Sequence, residues 1–399
     1  MLALAGLAVV VTACLPVRHD PPPPAPPVPT LAPPPPDVAL PANAPLLNVD
    51  TSYVTGLDRP WDIAFLPSGT MLYTENDRAT VSAYVDAGEP RRVLGTIAGV
   101  DNSGEGGVMG LAVDPDYPNS PYLYVCVSNL SPSDNRVLKL TVDPALPAGN
   151  ALVAATPIIT GMSHQGFHDG CRLRFQPGSN PPALFVTMGD AALGTGPQSL
   201  DSMNGKVLRV TTDGNGYPGN PFGGNAVRDR IFTSGHRNPQ GIAFRPGSNA
   251  PYSVEHGPDR NDEVNRLVAG GNGGWDPVPG YDQTLPMTDL AKFPNAMRPV
   301  WRSGDGGTIA PSGATFLSGP QWKALDGALA VAVLKGSQLR LMYLDGAGDI
   351  TGTTAVLQNG VRLRSAVEGP DGALYVSTDQ RNGSTAANGQ DQIWRISPS

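Results

Sequence analysis

The stretch Ile242–Gly257, IAFRPGSNAPYSVEHG, reads as two short strands joined by a turn. An apolar run opens it, Pro246-Gly247-Ser248-Asn249 supplies turn chemistry, and a second run of apolar and aromatic residues follows. The same phrase recurs near Ile63 (IAFLPSGTMLYTEN), Leu111 (LAVDPDYPNSPYLYVCVSN) and Leu173 (LRFQPGSNPPALFVTMGD), and more loosely near Ala314 (ATFLSGPQWKALDGALAVAVL) and Ala366 (AVEGPDGALYVSTD). Most copies are followed by a further alternating segment: RVLKLTV from Arg136, KVLRVTT from Lys206, QLRLMYL from Gln338 and QIWRISP from Gln392. Period-two alternation bounded by Gly, Pro and Asn marks strands. Each unit has the length of four short strands plus loops, so six units predict an all-β chain, a six-bladed β-propeller of four-stranded blades.

A propeller closes its own edges and gathers its long loops on one face around the central channel, where function is expected. The segments expected to converge there are Glu105 to Gly107, His168 to Arg172, Arg237-Asn238, Gly257-Pro258 and Thr308 to Ser312. Arg237 offers a planar fork of donors for an oxyanion. The carbonyls of the Gly257-Pro258 turn, with Asp262 and Glu263 nearby, offer oxygens to a hard cation such as Ca²⁺. Read singly, Arg237 pairs with a carboxylate, and Asp262 and Glu263 form a solvated turn.

Residues 1–14, MLALAGLAVVVTAC, are too short to span a bilayer and have the size of a signal-peptide core. Val11-Thr12-Ala13-Cys14 looks like a bacterial lipobox, with Cys14 as the lipidated residue; a plain cleaved signal is the alternative. Residues 15–45 hold 14 of the 43 prolines, which predicts a disordered, extended tether ahead of a domain at 46–399. The expected protein is exported, and lipid-anchored at the outer face of the cell membrane or secreted. A net charge of −8 with no basic run argues against nucleic acid as a partner. Cys126 and Cys171 could pair in an exported protein or remain buried thiols.

The phrases GEGGVMGLAVDPDY, HDGCRLRF, GKVLRV, GHRNPQG, EHGP followed by DEVN, GGW, TIAPSG and GPDGALYV, taken in that order, resemble the pyrroloquinoline quinone (PQQ) dependent sugar dehydrogenases. This is the soluble glucose dehydrogenase and aldose sugar dehydrogenase group, also labelled glucose/sorbosone dehydrogenases, and the resemblance runs from about Val54 to the C-terminus. It implies oxidation of an aldose at C1 to the lactone, with PQQ and Ca²⁺ as cofactors and an external electron acceptor. His168 then matches the catalytic base, and Arg237 and Asn238 match the pair facing the quinone oxygens. Gly257 and Pro258 match the carbonyls on the Ca²⁺ that bridges to PQQ. Glu263 matches a carboxylate of a neighbouring calcium loop, to which Gly273 would lend its carbonyl. Thr308, Lys335, Arg362 and Arg364 match residues that hold the three carboxylates of PQQ, a buried polyanion that must be paired.

Three positions depart from the family pattern. Glu105 stands for a glutamine among the cofactor contacts, so this acid must be paired or point away; Phe167 stands for the aspartate before the base; Gly273 stands for a tyrosine. His164, His236 and His256 carry less information, and no Cys or paired-ligand spacing supports a zinc site. The alternative from another class is a secreted Ca²⁺-binding propeller acting as a carbohydrate-binding or structural protein. Such a binder has no reason to keep His168, Lys335, Arg362 and Arg364 together. A lactonase-type hydrolase would need a central cage of Asp, Asn and Glu, for which there are too few candidates. The insertions Gly189 to Ser202 and Asp276 to Pro299 are expected to contact substrate.

Overall fold

The computed structural model describes residues 29–86, 89–143, 148–380 and 389–399. The signal segment, Cys14 and the first half of the expected tether lie outside the described residues. β1 (Leu47–Leu57) precedes the first blade of β2 (Pro60–Phe65), β3 (Met71–Glu75), β4 (Thr80–Tyr84) and β5 (Arg92–Thr96). The second blade is β6 (Val108–Val113), β7 (Tyr122–Asn129), β8 (Asp134–Val142) and β9 (Leu152–Met162). The third is β10 (Leu173–Phe175), β11 (Leu184–Met188), β12 (Lys206–Val210) and β13 (Ile231–Thr233). The fourth is β14 (Pro239–Phe244), β15 (Pro251–Glu255), β16 (Glu263–Arg266) and β17 (Trp301–Arg302), and the fifth is β18 (Pro311–Phe316), β19 (Leu329–Val333), β20 (Gln338–Leu344) and β21 (Ile350–Val356). β22 (Leu363–Glu368), β23 (Leu374–Thr378) and β24 (Asp391–Pro398) need a fourth strand, and β1 supplies it. Leu47 lies opposite Pro398 and Val54 opposite Ile393, so the last blade joins both ends of the domain and closes the ring.

The six repeat phrases fall on the first two strands of the six blades, and the alternating segments fall on the third strands. The protein is therefore a six-bladed β-propeller of four-stranded antiparallel sheets. β3, β11, β15, β19 and β23 are buried at every residue, because these inner strands are covered on both faces by the neighbouring blades. Between the second and third blades, Tyr124, Cys126 and Val137 pack on Leu173, Leu184 and Leu208. Each of the valine and leucine side chains contributes roughly 1.5–3 kcal/mol by leaving water.

Asp62 is paired with two arginines, Arg172 and Arg174, where the blades converge. The guanidinium of Arg172 is fully buried, 2.5 Å from Asp62 Oδ1 and stacked 4.1 Å over the Trp61 ring. It also donates to the Gln240 carbonyl and to Ser365 Oγ, tying the third blade to the first, fourth and sixth. Burial acts to raise the Asp62 carboxyl, but Arg172 and Arg174 outweigh it and hold the group below the usual range. Removing Asp62 would strand the fully buried Arg172 charge, at a cost of about 3–5 kcal/mol.

Over residues 32–38 the structure differs from a free tether. Arg302 donates to the Ala32 carbonyl, the Val38 amide donates to the Thr353 carbonyl at 2.8 Å, and Asp37 pairs with Arg340. β21 is an outer strand with unpaired backbone groups, and the extended proline-rich chain satisfies some of them.

Candidate active site

His168 sits in the loop between β9 and β10 with φ of 56°, a left-handed conformation that a non-glycine residue keeps only when its surroundings hold it. Glu105 does so: its Oε2 accepts the amides of His168 at 2.9 Å and Asp169 at 3.4 Å, and the Asn238 side-chain amide at 3.3 Å. The acid that stands where a glutamine was expected is thus paired, and by backbone rather than by a ligand. Asn238 is fully buried, with its Oδ1 accepting the Gly170 amide, so it braces the same loop. Cys171 is disulfide-bonded to Cys126 on β7, which resolves the open pairing and pins the loop's far end.

The partner that orients His168 is Asp190, at 2.8 Å from Nδ1. Asp190 also accepts from the Ala192 amide, Trp275 Nε1 and the Tyr281 hydroxyl, each at 2.8 Å. A carboxylate on Nδ1 fixes the tautomer and leaves Nε2 to exchange protons with a bound molecule. A second histidine supports the loop from behind: His164 Nδ1 lies 2.8 Å from Asp169 and its Nε2 3.4 Å from Asp101. The bond to Asp169 raises the His164 imidazole above its ordinary value.

Glu105 and Gly166 border a cavity of about 610 Å³ that is also lined by Arg59, His256, Arg362 and Arg364. Arg364 is held by Asp379 at 2.6 Å and by Gln240, and Arg362 donates to the Asp379 carbonyl. Leu334 lines the cavity, and Lys335 beside it on the β19–β20 turn is exposed. Arg59 Nε and His256 Nε2 are buried without a partner. Burial, then Arg237 and Arg364, drive the His256 imidazole well below its ordinary value, so it stays neutral. Asp77, paired with Arg59, is pushed up to about 7 by burial and by Asp379, Asp58 and Asp391. Arg59, Arg362 and Arg364 give this cavity donors suited to a small polyanion, alongside the carboxylates of Glu105 and Asp379.

Arg237 is buried beside it. Its Nη1 donates to the carbonyls of His256 at 3.2 Å and Gly257 at 2.9 Å, and its Nη2 to Gln283 at 2.9 Å. The Gly257–Asp262 turn has no room for a Cβ at Gly257, which would run into the Arg260 carbonyl. Asp262 holds this turn: it accepts the Gly257 and Ile309 amides and the Thr308 hydroxyl. That places Asp262 in the frame of the turn, and it commits the Thr308 hydroxyl proton to a carboxylate. Glu263 points elsewhere, into a buried cluster with Glu255, His236, Asn265 and Thr288. Burial and the Glu255 charge push Glu263 up to about 8, and Asn265 Oδ1 is left without a partner. Gly273 closes against this cluster, and a Cβ there would come within 2.6 Å of the Gly235 carbonyl, which accounts for glycine at this position. Two crowded carboxylates and an orphaned amide oxygen form a donor set suited to a hard divalent cation.

Residues 57–387 match the family model of the glucose/sorbosone dehydrogenases. The chain belongs to the glucose/sorbosone dehydrogenase family. Among relatives of this family, the aldose sugar dehydrogenase YliI of Escherichia coli K12 is 29% identical over 340 residues, 82% of this chain and 89% of that protein. The PQQ-bound form of an aldose sugar dehydrogenase from Streptomyces coelicolor superposes with a TM-score of 0.73 at 28% identity, covering 89% of this chain and all of the other. The apo form of the soluble E. coli aldose sugar dehydrogenase superposes at 0.75 with 27% identity, over 89% and 100% of the two chains.

In this propeller the structure brings His168, Glu105 and Asn238 into one network, with Arg237 next to Asn238 in the chain, and sets Arg362 and Arg364 on the adjoining cavity wall. Sequence reasoning missed Asp190, Arg59, Tyr281 and Gln283. Asp190 follows the apolar run LFVTMG at a strand end, a signal that was available. Arg59 lies just before a repeat phrase. Tyr281 and Gln283 lie in an insertion without pattern, and only the fold carries them to His168 and Arg237 respectively.

Proposed function

We propose that this protein is a PQQ- and Ca²⁺-dependent dehydrogenase that oxidises an aldose at C1 to the lactone and passes the electrons to an external acceptor. The observation that carries the reading is His168, bonded through Nδ1 to Asp190 and with no partner for Nε2 among the described residues, beside a cavity walled by arginines. The residues fit the cofactor. PQQ carries three carboxylates, and Arg59, Arg362 and Arg364 line the cavity with a buried unpartnered donor on Arg59. Lys335 would hold a carboxylate at the rim. The carbonyls of Gly257 and Pro258 would hold Ca²⁺ against it, and the oxygens around Glu263 would hold a second, structural Ca²⁺.

When bound, PQQ supplies an ortho-quinone that accepts the hydride from C1. The protein's part is the proton and the field. Nε2 of His168 takes the proton of the C1 hydroxyl as the C1–H bond breaks, and Asp190 stabilises the imidazolium that forms. Arg237, fixed by Gln283 and the Gly257 carbonyl, places positive charge where the acceptor gains it. Glu105 and Asn238 keep the base in its left-handed conformation and do no chemistry themselves.

Among the described residues no helix is long and apolar enough to cross a membrane. Export and anchoring at Cys14 rest on the N-terminal sequence. The test is reconstitution: apo protein with PQQ and Ca²⁺ should reduce an artificial electron acceptor when given an aldose. Protein that binds PQQ yet oxidises no aldose in a broad panel would favour the carbohydrate-binding alternative.

A further inference from the structure

The insertion between β16 and β17 sends two side chains into the active site. Tyr281 Oη donates to Asp190 Oδ2 at 2.8 Å and stands 3.0 Å from His168 Nδ1. Two residues on, Gln283 Oε1 accepts from Arg237 Nη2 at 2.9 Å. One short piece of chain therefore touches both groups to which the proposed reaction assigns the proton and the charge. The rest of the loop is anchored: Trp275 is fully buried, its amide bonds the Gly235 carbonyl, and its indole shares Asp190 Oδ2 with the phenol. The Tyr281 ring stands edge-on to Trp275 at 6.2 Å, so packing as well as hydrogen bonding fixes the hydroxyl.

We propose that Tyr281 is a positioning residue for the base: its hydroxyl completes the donor set of Asp190 and so sets the tautomer and the basicity of His168. The inference rests on the reading of His168 as the proton acceptor. The physical argument is one of charge. Asp190 accepts from the Ala192 amide, the Trp275 indole, the Tyr281 hydroxyl and the imidazole, and each donor spreads its negative charge. Removing the phenolic donor concentrates that charge on the remaining partners, and the imidazolium gains most because it is the one that can become cationic. The hydroxyl's second contact, as an acceptor toward Nδ1, works in the opposite direction. It is a shared bond to a neutral group and is the weaker of the two. The other charged and titratable groups facing the pair are Glu105 at the His168 amide, Asp169, Arg237 near the phenol, and neutral His256. None of them bonds the imidazole ring, so the Tyr281 effect is read on His168 without interference from a second direct partner.

The measurement is the titration of the His168 imidazole by NMR in the ¹⁵N-histidine-labelled apo protein, for wild type, Tyr281→Phe and Gln283→Ala. Phenylalanine keeps the packing on Trp275 and deletes only the hydroxyl. In Tyr281→Phe the His168 midpoint should rise by about 0.5 to 1 unit, the scale of one charge-assisted hydrogen bond. The acid limb of kcat/KM in the PQQ- and Ca²⁺-loaded enzyme should rise by the same amount. Turnover on the acid side then falls about three- to tenfold, while the alkaline plateau stays within about twofold. Gln283→Ala perturbs the same loop without touching Asp190 and should leave the His168 midpoint in place. An unmoved midpoint in Tyr281→Phe overturns the proposal, as does an equal shift in Gln283→Ala, which would mean that loop disorder alone is responsible. A uniform loss of turnover with an unchanged pH profile reduces Tyr281 to a structural anchor and also overturns it. If the wild type oxidises no aldose, the enzyme reading fails by itself, and the apo titration still decides what Tyr281 does to His168.

Discussion

Arg237 Nη1 donates to the carbonyl oxygen of Gly257 at 2.9 Å, the same oxygen that the proposed Ca²⁺ would use. Two cations on one carbonyl repel unless an anion lies between them. Ca²⁺ by itself should therefore bind weakly at the Gly257-Pro258 turn, and PQQ should raise its affinity by about tenfold or more, each ligand aiding the other. Calorimetric titration of Ca²⁺ with and without PQQ measures this. In Arg237→Ala the Ca²⁺ affinity without PQQ should increase while turnover falls by about 10²–10³. Prolonged chelation of the loaded protein should abolish dye reduction, with Ca²⁺ restoring it better than Mg²⁺, which demands a tighter octahedral site.

His168→Ala should leave PQQ affinity within a few-fold of wild type and lower turnover by about 10²–10⁴, the range for losing a general base. Asp190→Asn should approach the same loss, because an amide can hold the wrong tautomer. Wild-type turnover in His168→Ala would remove this histidine from the chemistry.

The His164–Asp169 pair makes stability depend on pH in a defined direction. The imidazole is raised above 6.5, with the hydrogen bond to Asp169 as the leading cause. Its contribution is fully present below the unfolded value near 6.5 and is lost as pH rises through the folded value. The melting temperature of the apo protein should therefore decline across that window, and His164→Asn should flatten the decline. A slope that survives the substitution would place its origin elsewhere.

The Cys126–Cys171 bond closes a loop with a sequence separation of 45 and ends three residues after the base. Replacing both cysteines with alanine should cost roughly 2–4 kcal/mol of stability and lower turnover more than PQQ affinity. Denaturant unfolding and dye reduction on the same preparation separate the two effects.

Cys14→Ser should release the protein from the membrane fraction with turnover unchanged. Asp37, although paired with Arg340, is 69% exposed, so Asp37→Ala should change stability by less than about 1 kcal/mol. Membrane retention of Cys14→Ser would show that Cys14 is not the anchor.

What the sequence by itself determined is the part of this protein that is built locally. A blade is a run of antiparallel hairpins between neighbours in the chain, so its turn residues and strand periods recur in the sequence, and six copies lead to six blades. Residue chemistry also marked Arg237 and the Gly257 turn, whereas the His168 loop and the arginine walls were legible only through the family resemblance of the phrases that contain them. The tertiary structure decided everything that depends on distant segments meeting. β1 pairs with β24 across the whole domain, Arg172 joins four blades, and Tyr281 reaches His168 over 113 positions. It also tied Asn238 to the His168 loop and Asp262 to the Gly257 turn. Such contacts carry no period and no fixed spacing; they follow from the curvature of the ring, which brings loops from separate blades to one axis.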